Sequence, residues 1–469
     1  GPIRRSLLTG RMPSVHGAWD NGTPLDWDAN TFVRVLRENG YQTGLIGKSH
    51  IQEMFEGKPP DAGPDMPSIK NLKGEGDAIN PTWEEGWDQW EMGNRHRNEW
   101  VDIPEDYYGF DHVELICGHQ DLPSGHYLHW VREQGLDDKE VGGPKHALKR
   151  FEDWNQVYQS SVPEELYPTS YVTKRSVEFL EQAEENDQPF FLFASYPDPH
   201  HPFTSPGHYY DMYDPKNIPL PESFYDPHLD SMPHVQKLIA NRGKDHHGPF
   251  PCGIDEEQYR HATAVEYGSI SMIDEGIGEL LNTLKRLGLE EDTIVVFTSD
   301  HADMFGDHGL MLKHALHYQG VVHVPLLVKV PGMTSGKSNS LVSLLDLGQT
   351  ILDLTGCPEY KGMQGHSIRP ILEESTAKVR DRVLIEEGMP VDVTGQDTAY
   401  CLRTLVTDNA RLTIYDGFEH GELFDLKKDP EEFNNLFAKP EGAALKAEMM
   451  EKLAYTMMSY TNYGKAPKF

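Results

Sequence analysis

Thr293-Ile-Val-Val-Phe-Thr-Ser-Asp-His301 is the stretch on which the fold turns. Ile294 to Phe297 are consecutive apolar, mostly β-branched residues without polar alternation. That pattern predicts a short strand buried on both faces of a parallel sheet, and polar residues take over abruptly where it ends. In an open α/β sheet, ligands bind in the crevice beyond the carboxyl ends of the strands. Asp300 and His301 stand at that end and offer a hard carboxylate oxygen beside an imidazole. The pair suits Ca²⁺, Mg²⁺ or Mn²⁺ in company with further oxygens, or a transition metal. Lys313 follows a glycine-bearing turn and brings a positive charge back toward the same place. Taken alone, Ser-Asp-His also fits a solvated loop in which Asp300 caps a turn.

The flanking chain repeats the helix-strand alternation of a parallel sheet. Ile270, Ile273, Ile277, Leu281 and Leu284 mark an amphipathic helix leading into the central strand. Val324-Pro-Leu-Leu-Val-Lys-Val-Pro-Gly332 reads as another buried strand, and Ser343 to Leu352 as a helix behind it. Upstream, Thr31 to Gly40 is a helix ending at an Asn-Gly cap, and Tyr41-Gln-Thr-Gly-Leu-Ile-Gly-Lys48-Ser-His50 is a strand with polar groups at its end. The helix Tyr171 to Leu180 precedes the strand Phe190 to Ala194, which runs into Ser195-Tyr-Pro-Asp-Pro-His200-His-Pro-Phe203. Prolines there fix side chains rigidly at the sheet's carboxyl edge. Together these give an α/β domain over residues 1–375, with a large, mixed but mostly parallel sheet sandwiched by helices. From 376 to 469, short strands at Val383, Tyr400 and Arg411 predict a smaller C-terminal antiparallel-sheet subdomain, followed by a helical tail from Ala438 suited to packing on a neighbouring subunit of a homo-oligomer. Residues 52–170, rich in proline, glycine, tryptophan and acid as in Gly57 to Asp65 and Trp83 to Trp90, read as an irregular insertion over the site. His119, His126 and His129 within it carry no chemistry singly.

The 469 residues are 38% hydrophobic, with 8 Trp, 21 Tyr and 18 Phe, enough for a sizeable core. No apolar run approaches a membrane span. The formal charge of −33 opposes nucleic-acid and anionic-membrane binding, so any anionic substrate must be captured by a local positive cluster. Cys117, Cys252, Cys357 and Cys401 are scattered without paired spacing, which predicts neither a zinc knuckle nor a disulfide framework and points to a reducing, cytoplasmic location. A signal peptide preceding this stretch would change that placement.

Gly1-Pro-Ile-Arg-Arg-Ser-Leu-Leu-Thr-Gly10 resembles the signature of the type I sulfatases of the alkaline phosphatase superfamily, with Pro2, Arg4 and Ser6 through Gly10 in register. The family's nucleophile, a Cys or Ser oxidised to formylglycine, then falls immediately before Gly1. The strand before it, which ends in an Asp pair that supplies further metal ligands, would also precede Gly1. Four further motifs follow in the family's order: Lys48 with His50, the His-x-Pro at His200, Asp300-His301 with Lys313, and Gly421 to Leu436 near the C-terminus. The resemblance implies an alkaline-phosphatase-like fold and hydrolysis of a sulfate monoester, on a small molecule or a saccharide, after maturation by a formylglycine-generating enzyme. It implies that Arg4 stabilises the nucleophile, that Lys48 and Lys313 neutralise the sulfuryl oxygens, and that His50 takes the proton as the covalent intermediate breaks down. His200 or Lys313 would assist the leaving alcohol, while Asn21 and His201 contact the substrate. One divalent ion would sit on Asp300 and His301 with the Asp pair.

Many sulfatases have Asn where this chain has His301, and phosphonate monoester hydrolases resemble it there. The metal expectation is therefore Ca²⁺, with Mn²⁺ as the alternative. Asn21 also fits the phosphonate and phosphodiester hydrolases, whereas Lys48 and His50 oppose that reading, because those enzymes tend to carry uncharged hydroxyl residues there. A catalytically silent relative that binds sulfated glycans is the third reading.

Overall fold

The computed structural model describes residues 1–461 except 20, 22, 53, 55–85, 245–249 and 390–399. Residues 57–65 and 83–85 of the tryptophan- and proline-rich stretches lie outside them. The chain is mixed α/β, with a mainly parallel central sheet and a C-terminal antiparallel sheet. Its first elements are helix α1 (Pro2–Thr9), helix α2 (Phe32–Glu38) and strand β1 (Gln42–Lys48). Thr31 caps α2 by accepting the Arg34 N–H, as a threonine ahead of an apolar stripe should. β1 runs parallel to β2 (His112–Cys117) on one side and to β4 (Phe190–Ser195) on the other, and a short β3 (Ser124–Gly125) pairs antiparallel with the outer edge of β2.

The two-residue period of β1 divides the core. Leu45 joins Leu8, Phe32, Leu36 and Leu115 on one face, together with Leu347 and Leu352 of a helix described below. Ile46 joins Ile116, Tyr127, Leu128, Tyr171, Val172 and Phe179 on the other. Tyr127 and Leu128 come from α4 (His126–Glu133), and Tyr171, Val172 and Phe179 from α5 (Pro168–Glu185), so helices cover both faces. α3 (Gly93–Asn98) packs against β3 and α4. The stretch 52–170 is therefore not an irregular insertion throughout. Its second half supplies a strand of the main sheet, and the apolar run of β2 is masked in the sequence by the glycines, tryptophans and acids around it.

Gly47 decides how closely β1 and β4 meet. It has φ +110°, and a Cβ there would stand 2.0 Å from the Ser195 carbonyl oxygen. Only glycine fits such an approach.

A 31-residue helix, α6 (Glu256–Arg286), leads into β5 (Val295–Thr298). Two expectations are corrected here. β5 is not buried on both faces of a parallel sheet: it pairs antiparallel with β6 (Leu326–Lys329), and Phe297 is exposed, as is Leu327 on β6 at 65%. Among the described residues, the other edge of β5 and the outer edge of β4 have no strand partner, which leaves their apolar side chains half-covered. Likewise Ile270 and Leu281 of α6 face solvent, while Ile273 and Leu284 are buried.

α7 (Leu345–Thr355) returns over the Phe32 face. The C-terminal sheet is a meander of β7 (Arg382–Met389), β8 (Tyr400–Thr407), β9 (Ala410–Tyr415) and β10 (Gly421–Asp425), covered by α8 (Ala443–Ser459). The tail helix thus packs on its own sheet, with Met449 and Leu453 buried beside Leu405, Leu412 and Leu423. Arg411, fully buried on β9, is paired with Glu422 at 2.9 Å and with Glu432 at 2.5 Å. Asn435 accepts the Leu423 N–H and donates to the Gly421 carbonyl, so the Gly421 to Leu436 motif does structural work. All four cysteines are free thiols.

Gly47→Ala should cost roughly 2–4 kcal/mol, from the positive φ and the carbonyl clash together. A urea midpoint equal to wild type would show that the β1–β4 spacing does not rest on this glycine. Acid should also destabilise the fold through His96. It is fully buried on α3 and donates from Nε2 to the Trp90 carbonyl at 2.8 Å, and burial pushes it down to about 4. Between that value and about 6.5 the unfolded chain binds the extra proton, so stability falls as pH drops through this window. The drop in urea midpoint from pH 7 to 4.5 should shrink in His96→Gln; an equal drop in both proteins would assign it to other groups.

Candidate active site

The carboxyl ends of β1, β4 and β5 converge on one side chain. Arg4, on the first turn of α1, donates from Nε to Asp300 Oδ2 at 2.8 Å, and from one terminal nitrogen to the Lys48 carbonyl at 2.7 Å and to Ser195 Oγ at 2.6 Å. The three acceptors belong to the ends of three strands. A planar guanidinium with five donors can span them, which a lysine could not.

Around this hub the structure gathers most of the residues singled out in the sequence. Lys48 ends β1 with its side chain buried. Among the described residues its ammonium has no ion-pair partner, and burial pushes it down to about 7 against the pull of Asp300. Lys313 is buried and donates to Asp303 Oδ1 at 2.8 Å. Burial alone would raise the Asp300 carboxyl, but His301, Arg4 and Lys48 outweigh it and hold the group well below the usual carboxylate range. Asp303 is likewise held ionised, mainly by Lys313.

The histidines form a continuous wall. The His50 and His119 rings meet edge to face at 4.8 Å. His119 stacks on His200 at 3.9 Å with 18° between planes, and His200 lies 4.1 Å from His201 and 6.2 Å from His301. Burial lowers every one of these imidazoles, His201 and His301 to about 4, so all are neutral at pH 7. His200 commits Nδ1–H to the His201 carbonyl at 2.6 Å, which leaves its Nε2 free to face a ligand. His201 Nδ1 is 4.0 Å from Asp303 Oδ2, beyond hydrogen-bond reach, and is buried without a partner among the described residues. Asn21 Oδ1 is buried without a partner and lies 2.8 Å from where a Cβ on Gly1 would stand, beside the start of α1.

Asp300 and His301 fit a divalent cation as a partial ligand set. His301 commits Nδ1–H to the Ala302 carbonyl at 3.2 Å, so its Nε2 lone pair is available 3.8 Å from Asp300 Oδ1, a spacing one ion can bridge. Among the described residues no group of three or more His, Cys, Asp or Glu side chains is gathered for a metal.

Four members of the site were not singled out in the sequence: Ser195, Asp303, His119 and Glu91. Ser195 and Asp303 sit within a few residues of motifs and were open to recognition. Glu91 gave no signal. It is buried, and its Oε1 accepts hydrogen bonds from Ser49 Oγ (2.7 Å), Ile51 N (2.9 Å), Gln52 N (3.1 Å) and Tyr107 Oη (2.6 Å). Arg5 Nε takes the Ile51 carbonyl at 3.0 Å from the opposite side. The segment is clamped around His50, which is held at φ +60° in the left-handed region, an uncommon backbone conformation for a residue with a side chain.

Comparison with known proteins agrees with this geometry. The family model described as Sulfatase matches residues 1–357, and one described as N-sulphoglucosamine sulphohydrolase, C-terminal, matches 306–459. An arylsulfatase of Clostridium perfringens is 31% identical over 452 residues, covering 93% of this chain and 80% of the relative. Among solved structures, a phosphonate monoester hydrolase from Silicibacter pomeroyi superposes with a TM-score of 0.73 at 22% identity, over 99% of this chain and 86% of that one. A protein solved with its substrate D-glucosamine-2-N,6-O-disulfate gives 0.67 at 20% identity, over 98% and 88%. At those identities the structural likeness speaks for the fold alone.

Glu91→Gln should loosen the clamp on His50. We expect kcat on an aryl sulfate to fall roughly tenfold or more through misplacement of the ring, with a modest loss of melting temperature. Wild-type kcat in a folded Glu91→Gln protein would show that the clamp does not position His50 for turnover.

Proposed function

The chain belongs to the sulfatase family and hydrolyses a sulfate ester, and we propose that the ester is carried by a sugar, its sulfuryl oxygens held among Arg4, Lys48 and Lys313. The observation that supports this pocket is Lys48, a buried ammonium with no ion-pair partner among the described residues at the meeting point of three strand ends. A site of that kind is completed by an anion. An N-acetylglucosamine-6-O-sulfatase of Bacteroides thetaiotaomicron, 25% identical over 476 residues, supports the sugar.

Membership of the family implies a divalent metal and a formylglycine. We propose Asp300 and His301 as two ligands of Ca²⁺, or of Mn²⁺ given the imidazole, and a Cys or Ser immediately before Gly1 as the source of the formylglycine, converted by a maturation enzyme. The edges of β4 and β5 that have no strand partner among the described residues support a strand preceding Gly1, one whose pairing would cover their half-exposed apolar residues. When bound, a divalent ion activates a coordinated hydroxyl as a nucleophile at neutral pH.

The chain's own residues supply the rest. Arg4, its plane fixed by three acceptors, is preorganised to face developing negative charge beside Gly1. Lys48 contributes net positive charge to the sulfuryl oxygens, while Lys313, oriented by Asp303, contributes donors whose charge is already balanced. His200 turns Nε2 to the leaving-group side, and the proton for the departing alcohol comes from the Lys313 ammonium, because neutral His200 spends its one N–H on the His201 carbonyl. His50, with Nε2 buried and without a partner, is the base for breakdown of the covalent state. Hydrolysis of a phosphonate monoester is the second reading, favoured by His301 and by Asn21 beside Gly1.

The deciding experiment is to assay matured, full-length protein on an aryl sulfate and an aryl phosphonate monoester, with and without chelator. Faster, chelator-sensitive sulfate turnover is expected. Faster phosphonate turnover would hand the assignment to the second reading. Lys48→Ala should lower kcat/KM on the sulfate by roughly 10²-fold or more, and an unchanged value would remove Lys48 from the anion site.

A further inference from the structure

We propose that His119 is a substrate-contacting residue of this site, a third imidazole that donates a hydrogen bond to the sulfuryl group between His50 and His200. The proposal rests on the sulfatase reading and adds a ligand to it.

The geometry is that of a shared wall. β2 runs parallel to β1 with Ile116 opposite Lys48, so the turn after β2 opens at the level of the site, and His119 stands on that turn. Its ring lies face to face with His200 at 3.9 Å and meets His50 edge-on at 4.8 Å. It therefore fills the gap between the residue that faces the leaving oxygen and the residue that faces the nucleophile. The sulfuryl group must span that same gap.

Its polar atoms point the same way. Some buried histidines have both nitrogens satisfied: His126 accepts the Leu115 N–H at 2.9 Å and bonds the Val101 carbonyl at 3.0 Å, and His228 bonds Ser231 Oγ at 2.9 Å and the His308 carbonyl at 2.7 Å, whereas His96 and His234 each leave Nδ1 without a partner among the described residues. His119 Nδ1 is buried with no hydrogen-bond partner among the described residues. His50 Nε2, across the edge-to-face contact, is in the same condition. A buried nitrogen left without a partner is costly unless a ligand satisfies it, and an anion can take an N–H from His119 while His50 Nε2 keeps its lone pair for the proton it is to accept. The ligand at hand is an anion: of the charges acting on His119, that of Lys48 acts most strongly, and Lys313 acts on it as well. A neutral imidazole carries one N–H, so it can donate to a sulfuryl oxygen without adding a further cation beside two lysines. The contact exists in both ground and transition states, so its loss falls mainly on binding.

The test separates the nitrogen from the ring. His119→Phe keeps a stacking face on His200 but has no donor, whereas His119→Asn keeps an amide near the Nδ1 position and removes most of the ring. With matured full-length enzyme and an aryl sulfate, His119→Phe should raise KM and the inhibition constant of inorganic sulfate together by roughly tenfold, with a smaller effect on kcat. His119→Asn should recover much of both constants. Folding of each variant is checked by its melting temperature. Unchanged KM and sulfate inhibition in folded His119→Phe would overturn the proposal. So would a loss of kcat alone in His119→Asn with none in His119→Phe, because that pattern assigns His119 to supporting the His200 ring. If wild-type enzyme turned over only the phosphonate ester, the sulfatase reading would fall, and the same variants measured on that ester with inorganic phosphate would still decide the contact.

Discussion

The three-way hydrogen bonding of Arg4 is the constraint on which the site depends. The ladder holds β1 and β4 level as far as Gly47 and Ser195, but among the described residues no ladder ties β5 to either. One guanidinium bonded to the Lys48 carbonyl, the Ser195 hydroxyl and the Asp300 carboxylate supplies that tie. It also sets where the charged groups stand, because Lys48 and Asp300 are themselves two of its anchor points. Removing either Arg4 or Asp300 would leave the other as a buried charge without its partner, the costly way to break such a pair. Structural and chemical roles therefore coincide in one residue. Gly47, whose missing side chain lets β1 approach the Ser195 backbone, serves the same convergence from the packing side.

A second tie holds the loop after β1. Arg5, next to Arg4 on α1, takes the carbonyl of Ile51, and Glu91 takes the amides of Ile51 and Gln52 from the other side. Neighbouring arginines on one helix thus fix the strand ends and the His50 loop as a single body. Glu91 has only neutral donors around its bonded oxygen, so its charge is spread over four hydrogen bonds instead of being cancelled by a cation. The strained backbone of His50 is held by this network.

How much of this was legible in the sequence depended on whether a residue announced itself locally. The strand of Lys48 and the turn of His200 were marked by apolar runs that end in polar clusters, and the antiparallel C-terminal sheet by closely spaced short strands. β5 was placed correctly but misjudged in its surroundings, because a continuous apolar run reports how burial-prone a strand is and says nothing of which neighbours it has. β2 and Glu91 were missed for the opposite reason. His112-Val-Glu-Leu-Ile-Cys117 is only partly apolar, and a lone glutamate among tryptophans and glycines carries no pattern. The role of Glu91 comes from four donors that are distant in the chain or on another segment, and such a role exists only in three dimensions. His119 is an intermediate case: a histidine just after a strand is a weak signal until the strand is known to lie beside β1.

The site's electrostatics follow from how few of its charges are free. The chain carries a formal −33, yet the far field that this creates decays over about 8 Å at physiological ionic strength, so it slows an approaching anion without governing its affinity once bound. Contact affinity is set locally, and there Arg4 is balanced by Asp300 and Lys313 by Asp303, both buried pairs that act as oriented donors with little net charge. Among the described residues, the Lys48 ammonium has no ion-pair partner. Burial pushes its ammonium down to about 7, which means that the pocket without a ligand holds this charge only partly near neutral pH. An arriving anion removes that penalty and draws the proton on, so binding and protonation are coupled. The wall of neutral histidines is consistent with this economy of charge: it lines the site with polar nitrogens, of which His119 offers a donor, while keeping the positive charge at the one lysine positioned to meet the anion.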